Sequence, residues 1–193
     1  MVSALGTGVE PTFAALCEGR SGVGHVTRFD ATGLPCDIAA EVDEPTLAPG
    51  HAFDEAGGTA LRLLRTALEE ALPAGSLGDV EDRRRIAVIL GGHGYVPSGE
   101  VTLHLVRQLD ANGRMDLEAL AADGMYGREQ LTWRLPDLVP ALTARLLDAR
   151  GVSLPIVSAC AAGTQAIGES LRLLRDGRAD VVVTGGVEPL LTY

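Results

Sequence analysis

The chain has 193 residues, enough to bury a real core, and reads as a single domain over 1–193 or as part of one larger domain. Hydrophobic residues make up 46% and aromatics only 4%, which suits an aliphatic interior; the net charge of −10, with arginine as the only basic type besides histidine, argues against nucleic acid or an anionic membrane as partner. Three widely spaced cysteines give neither a disulfide framework nor a metal-ligand pattern, and without a signal-like start or a membrane-length apolar run the expected location is cytoplasmic.

Residues 1–8 are small and glycine-rich and read as a loop. Val9–Cys17 places Val9, Phe13, Leu16 and Cys17 on one helical face with Gly19 as the stop, so Cys17 is expected in the core. Residues 20–35 are turn-rich, Cys36 follows in a loop without evident role, and 38–42 is a candidate short strand. Residues 52–72 form a second helix with Leu61, Leu64, Leu68 and Leu72 on one face. Arg83–Arg85 is a basic cluster, read as a solvated loop ahead of a strand over 86–90. Gly91-Gly92-His93-Gly94 comes next, and its spacing matches neither a P-loop nor a dinucleotide fingerprint, so it reads as a tight turn at the sheet's carboxyl edge. Residues 101–109 and 117–122 are short helical candidates, 124–134 is ambiguous, and Trp133 is expected to anchor packing. Asp137 is placed to cap a helix over 138–149 whose stripe is Leu138, Leu142 and Leu146, with Pro140 tolerated in the first turn.

The most informative stretch is 152–193. A short apolar run, Ile156 and Val157, leads into Ser158-Ala159-Cys160 and then Ala161-Ala162-Gly163. Ile167, Leu171 and Leu174 recur at i, i+4 and i+7 as the stripe of an amphipathic helix, which Gly177 closes with Arg172 and Arg175 in its last turn. Val181–Val183 is a second buried strand, ended by Gly185-Gly186. Pro155 removes a ladder donor, which favours an edge position or a bulge for the strand before Cys160. A thiol in the first turn of a helix lies beside unpaired N–H groups and the positive dipole end, which favour the thiolate, and small flanking residues let a carbonyl approach. From spacing alone two readings of Cys160 stand: a nucleophile, or a buried structural cysteine.

The segment SACAAGTQAIGESLRLLRDGRADVVVTGGVE resembles the active-site region of β-ketoacyl synthases, the condensing enzymes of fatty-acid and polyketide assembly, and residues 19–35 resemble a separate stretch of the same family. The resemblance implies an α/β fold, the N-terminal half of a layered thiolase-like αβαβα architecture in which two similar halves pack around the active site. The apolar strand that precedes the equivalent of residues 2–6 in the family is missing. The resemblance also implies that Cys160 takes an acyl group from phosphopantetheine on an acyl carrier protein, that no other cofactor and no metal takes part, and that a decarboxylated malonyl thioester then attacks the acyl-enzyme. A homodimer, or a pair with a related ketosynthase subunit, is implied through the strand before the cysteine. In the family two histidines and one oxyanion donor lie downstream of the cysteine. Here His25, His51, His93 and His104 all precede Cys160 and read as loop or surface residues, so catalysis is expected to need a C-terminal half, from a longer product or a separate chain. Residues 41–60 hold acids and no arginine, which leaves Arg83–Arg85 as the concentrated candidate for meeting an acidic carrier. Two other functions stay open: a non-catalytic fragment or interaction subunit of a condensing enzyme, and a cysteine acyltransferase or hydrolase using Cys160 alone.

Overall fold

A computed structural model describes residues 1–42, 52–73, 76–92, 99–124, 135–189 and 191. They belong to two units, Met1–Glu81 and Asp82–Tyr193. Trp133, His51 and His93 lie outside the described residues.

In the first unit, β1 (Val2–Ser3) and β2 (Gly6–Thr7) form an antiparallel hairpin on which α1 (Val9–Cys17) rests. β3 (Gly24–His25) pairs with β4 (Ile38–Ala39), a shorter strand than the sequence predicts, and α2 (Ala52–Ala71) follows. The bounds of α1 are those of the periodicity, but its buried side is not the apolar one. Thr12 and Ala15 are buried, whereas Val9, Phe13, Leu16 and Cys17 are exposed, which corrects the core placement of Cys17. Small size decides this. Thr12 Oγ1 donates to the Gly8 carbonyl at 2.8 Å and lies 3.4 Å from Ser3 Oγ, an approach that a large side chain on that face would prevent. α2 buries Leu61, Leu64 and Leu68 as expected, and Gly58, in the left-handed region at φ 53, breaks its regularity near the start. Glu70, near the end of α2, accepts the Val9 N–H at 2.7 Å and so satisfies one of the open donors of α1.

The second unit is organised on a parallel three-stranded sheet in the order β6–β5–β7: β5 is Ile86–Gly92, β6 is Ser153–Val157 and β7 is Val181–Gly186. β5 is central, and Ile86 through Gly91 are all buried, the continuous apolar run of a strand covered on both faces. β6 lies at an edge of this sheet, where Pro155, opposite Leu90, forfeits no bond on its open side. α3 (Gly99–Arg107) and α4 (Leu117–Ala122) follow β5, and Asp116 caps α4 by accepting the Ala119 N–H at 2.9 Å.

α5 (Leu138–Leu146) packs on β5 and β6, and α6 (Ala162–Arg175) packs on all three strands. α5 is three residues shorter than its stripe suggested, and Asp137 does not cap it: this residue is itself helical and makes no side-chain cap bond. Pro140, Thr143 and Ala144 form its buried face, while Leu138, Leu142 and Leu146 are only half-buried.

α6 departs further. Its sheet-facing side is Ala162, Ala166, Ser170 and Leu173, of which the first three are small enough to let the helix approach Ala87, Ile89 and Ala179 closely. The expected stripe points away, with Ile167 56%, Leu171 46% and Leu174 40% exposed. Apolar residues on two sides are the pattern of a helix in an inner layer. Gly177, at φ 64, ends α6 as the sequence predicts, with the Arg178 N–H returning to the Leu173 carbonyl at 2.9 Å. No helix among the described residues is long and apolar enough to cross a membrane.

Candidate functional site

β6 delivers the chain to Ser158, after which Ala159–Ala161 form a single 3₁₀ turn that runs directly into α6. Ala159 holds φ 48, a left-handed conformation that costs a residue with a Cβ about 1–2 kcal/mol. Cys160 follows at the crest of this bend and is exposed, which removes the structural-core reading. Cys17 and Cys36 are exposed as well, so accessibility does not separate the three cysteines. Placement does: Cys160 stands where a strand of the parallel sheet ends and a helix begins, the edge at which open α/β sheets bind ligands. The Ser158 hydroxyl oxygen beneath it is buried and has no hydrogen-bond partner among the described residues.

Backbone packing holds the bend in place. The glycines after residue 90, read as a turn from the sequence, contribute Gly91 and Gly92 to β5 itself. A methyl group on Gly91 would lie 2.4 Å from the carbonyl carbon of Ala162 and 2.5 Å from the Gly163 nitrogen. On the other side, a methyl group on Gly186 of β7 would lie 3.4 Å from the Cα of Gly163. Gly91 and Gly186 are direct partners in the strand register. The first turn of α6 therefore sits in a cradle of peptide groups, and the pairs Gly91-Gly92 and Gly185-Gly186 together with the small run Ala161-Ala162-Gly163 were the sequence signal for it.

The arginine cluster lies at the opposite edge. Arg83–Arg85 form a 3₁₀ turn immediately before β5, at the amino ends of the parallel strands, whereas Cys160 follows the carboxyl end of β6. Arg85 donates to both carboxylate oxygens of Asp180, at 3.0 and 2.5 Å, and to the Gly177 carbonyl at 2.7 Å, which ties the start of β5 to the turn before β7. Arg83 donates to the Leu147 carbonyl at 2.9 Å and pairs with Asp148, and Arg84 forks onto Asp82. The Arg85 hydrogen bonds hold the Asp180 carboxyl below the usual carboxylate range, and those of Arg84 do the same for Asp82. Arg83 and Arg85 are structural clasps between distant segments, whereas Arg84 is exposed and pairs within its own turn. The reading of 83–85 as a solvated loop is corrected: it is a 3₁₀ turn with Arg84 exposed and Arg83 and Arg85 half-buried.

Neither described histidine is brought to Cys160 by a described contact. His25 is exposed and pairs through Nδ1 with Asp37 at 3.0 Å on the β3–β4 hairpin, in keeping with a surface role. His104, by contrast, is half-buried on α3, with Nε2 2.5 Å from Asp123 just beyond α4.

A parallel α/β sheet with a cysteine at the strand-to-helix bend is the arrangement of the thiolase-like layered fold. The β-ketoacyl synthase N-terminal domain model matches residues 1–193. The chain is 29% identical, over 97% of its length, to 3-oxoacyl-[acyl-carrier-protein] synthase 2 of Coxiella burnetii, and covers 44% of that protein. To the actinorhodin polyketide putative beta-ketoacyl synthase 1 of Streptomyces coelicolor it is 27% identical over 97% of its length, covering 40%. The solved ishigamide ketosynthase/chain length factor superposes with a TM-score of 0.66 at 30% identity, over 96% of this chain and 44% of that one. The chain belongs to the β-ketoacyl synthase family and corresponds to its N-terminal domain. It spans less than half the length of these relatives.

Proposed function

We propose that both units belong to one N-terminal ketosynthase domain and that Cys160 is the acyl-accepting nucleophile of a decarboxylative condensation. The thiol attacks a thioester carbonyl presented on the phosphopantetheine of an acyl carrier protein. The new bond joins Cys160 Sγ to the acyl carbon, the bond from that carbon to the pantetheine sulfur breaks, and the departing thiol takes the proton that Cys160 gives up. A malonyl thioester then loses carbon dioxide, and its carbanion attacks the acyl carbon and releases Cys160. No other cofactor and no metal is assigned a part. The observation that carries this reading is Cys160 exposed at the strand-to-helix bend of a chain matched end to end by the family.

The sequence has no histidine after Cys160, so stabilisation of the malonyl-derived enolate is assigned to residues outside it. The exposed row Ile167, Leu171 and Leu174 supports a C-terminal half packing over α6, and the open edge of β6 supports a homodimer or a pair with a related ketosynthase subunit. The test is incubation of the 193-residue chain with acyl and malonyl carrier thioesters, read by mass spectrometry. Acyl label is expected on Cys160, absent in Cys160→Ala, with no β-ketoacyl product from the chain alone. Multiple-turnover condensation by the chain alone, or label that survives Cys160→Ala, would overturn the assignment. A second reading, a non-catalytic interaction subunit of a condensing enzyme, rests on the same missing histidines; an unlabelled Cys160 would favour it.

A further inference from the structure

We infer that Gly91 is a positioning residue for Cys160: its missing side chain lets the first turn of α6 sit on β5 and thereby fixes where the thiol stands. This rests on the nucleophile reading and adds a residue 69 positions earlier in the sequence, on a different strand. Gly91 is buried in the central strand, so the backbone there has no freedom to move outward. An added methyl group would meet three backbone atoms at once: the carbonyl carbon of Ala162 at 2.4 Å, its oxygen at 2.5 Å and the Gly163 nitrogen at 2.5 Å. None of these belongs to a side chain that could rotate away. Ordinary contact begins near 3.4 Å, so helix and strand would have to part by about 1 Å. The atoms struck lie two and three residues beyond Cys160, within the rigid start of α6, and the displacement therefore passes to the thiol.

The constraint is graded around the bend. A methyl group on Gly186 would meet the Gly163 Cα at 3.4 Å and the Gly91 oxygen at 3.6 Å, a mild contact in the same cradle. Gly151 supplies the comparison at the far edge. A methyl group there would lie 2.5 Å from the Ile86 oxygen and 2.7 Å from the Arg84 oxygen, as severe a clash as at Gly91 but at the amino ends of the strands. If Gly91 mattered only to stability, Gly91→Ala and Gly151→Ala would behave alike.

The experiment measures acylation of Cys160 in the full chain by an acyl-pantetheine thioester. Intact mass and peptide mapping give the rate, which is normalised to the folded fraction from circular dichroism, and alkylation of Cys17 by iodoacetamide in a separate aliquot of each variant serves as reference. Gly91→Ala is expected to slow acylation by about tenfold or more, since misplacement of about 1 Å at a reacting group can cost a hundredfold. Gly151→Ala is expected to melt earlier yet acylate within about twofold of the parent, and Gly186→Ala to fall between the two. Should Gly91→Ala fail to fold, the ordering of Gly186→Ala against Gly151→Ala decides. Parent-like acylation in folded Gly91→Ala, or an equal loss in Gly151→Ala, overturns the positioning role while leaving the nucleophile in place. A parent chain that takes no acyl group on Cys160 overturns the nucleophile reading, and the positioning role with it.

Discussion

The two sides of α6 make opposite predictions for two leucines two residues apart. Leu173 is 1% exposed and packs among Ala87, Ile89, Ala166 and Ala179. Three of those neighbours are alanines with no rotamer to change, so only Ile89 and the half-buried Val152, Ile156 and Val182 can shift into the space left by Leu173→Ala, and they refill it in part. The cost is expected at about 3–5 kcal/mol, the upper part of the range for buried leucines. Leu171 is 46% exposed, and Leu171→Ala should change the stability of the dilute chain by about 0.5 kcal/mol or less. Urea unfolding followed by circular dichroism, at two protein concentrations at least tenfold apart, measures both. If the stripe is covered by another copy at high concentration, the cost of Leu171→Ala should grow with concentration while that of Leu173→Ala does not. Equal and concentration-independent costs would refute the orientation of α6, because they would mean that both leucines are buried within one chain.

Other outcomes follow from particular contacts. Limiting alkylation at neutral pH should modify Cys160 before Cys17 and Cys36, and peptide mapping that finds either of the others first would remove the basis for the nucleophile. Asp180 has its carboxyl lowered by Arg85, so its contribution to stability is present above the ordinary value of 3.8 and is lost as pH falls through the lower folded value. The melting temperature of the parent should therefore exceed that of Asp180→Asn above about pH 4 and converge on it in stronger acid; a gap that widens on acidification would contradict the clasp. Ser158→Ala removes a buried hydroxyl with no partner among the described residues, and should be neutral or stabilising by about 1 kcal/mol. A clear loss in thermal melting would mean that the hydroxyl has a partner after all.

Legibility in the sequence followed the physics of each element. Strands and helices with strong punctuation were readable: the run from Ile86 needs no partner to be recognised, and Gly177 and Pro155 mark a helix end and an edge strand by backbone chemistry alone. Which helical face is buried was not readable for α1, α5 or α6. Hydrophobic periodicity finds the larger apolar residues, whereas the faces that pack here are lined by Thr12 and Ala15, by Thr143 and Ala144, and by Ala166 and Ser170. Close packing selects small residues, which carry little hydrophobic signal. The position of Cys160 was legible because a strand and a helix meet there. The part played by Gly91 was not, because the atoms it accommodates lie far along the sequence, and spacing within one segment carries no record of them.

The two ends of the sheet are built from different materials. At one end arginine and aspartate side chains clasp the strands together; at the other, Gly91, Gly163, Gly186 and the alanines beside Cys160 contribute little but peptide units. A surface made largely of backbone can offer shape and N–H donors, and no side chain can be added at Gly91 without filling the space beside the bend that carries Cys160. Under the proposed function, the groups that select an acyl chain or move a proton come from residues outside this cradle of peptide units.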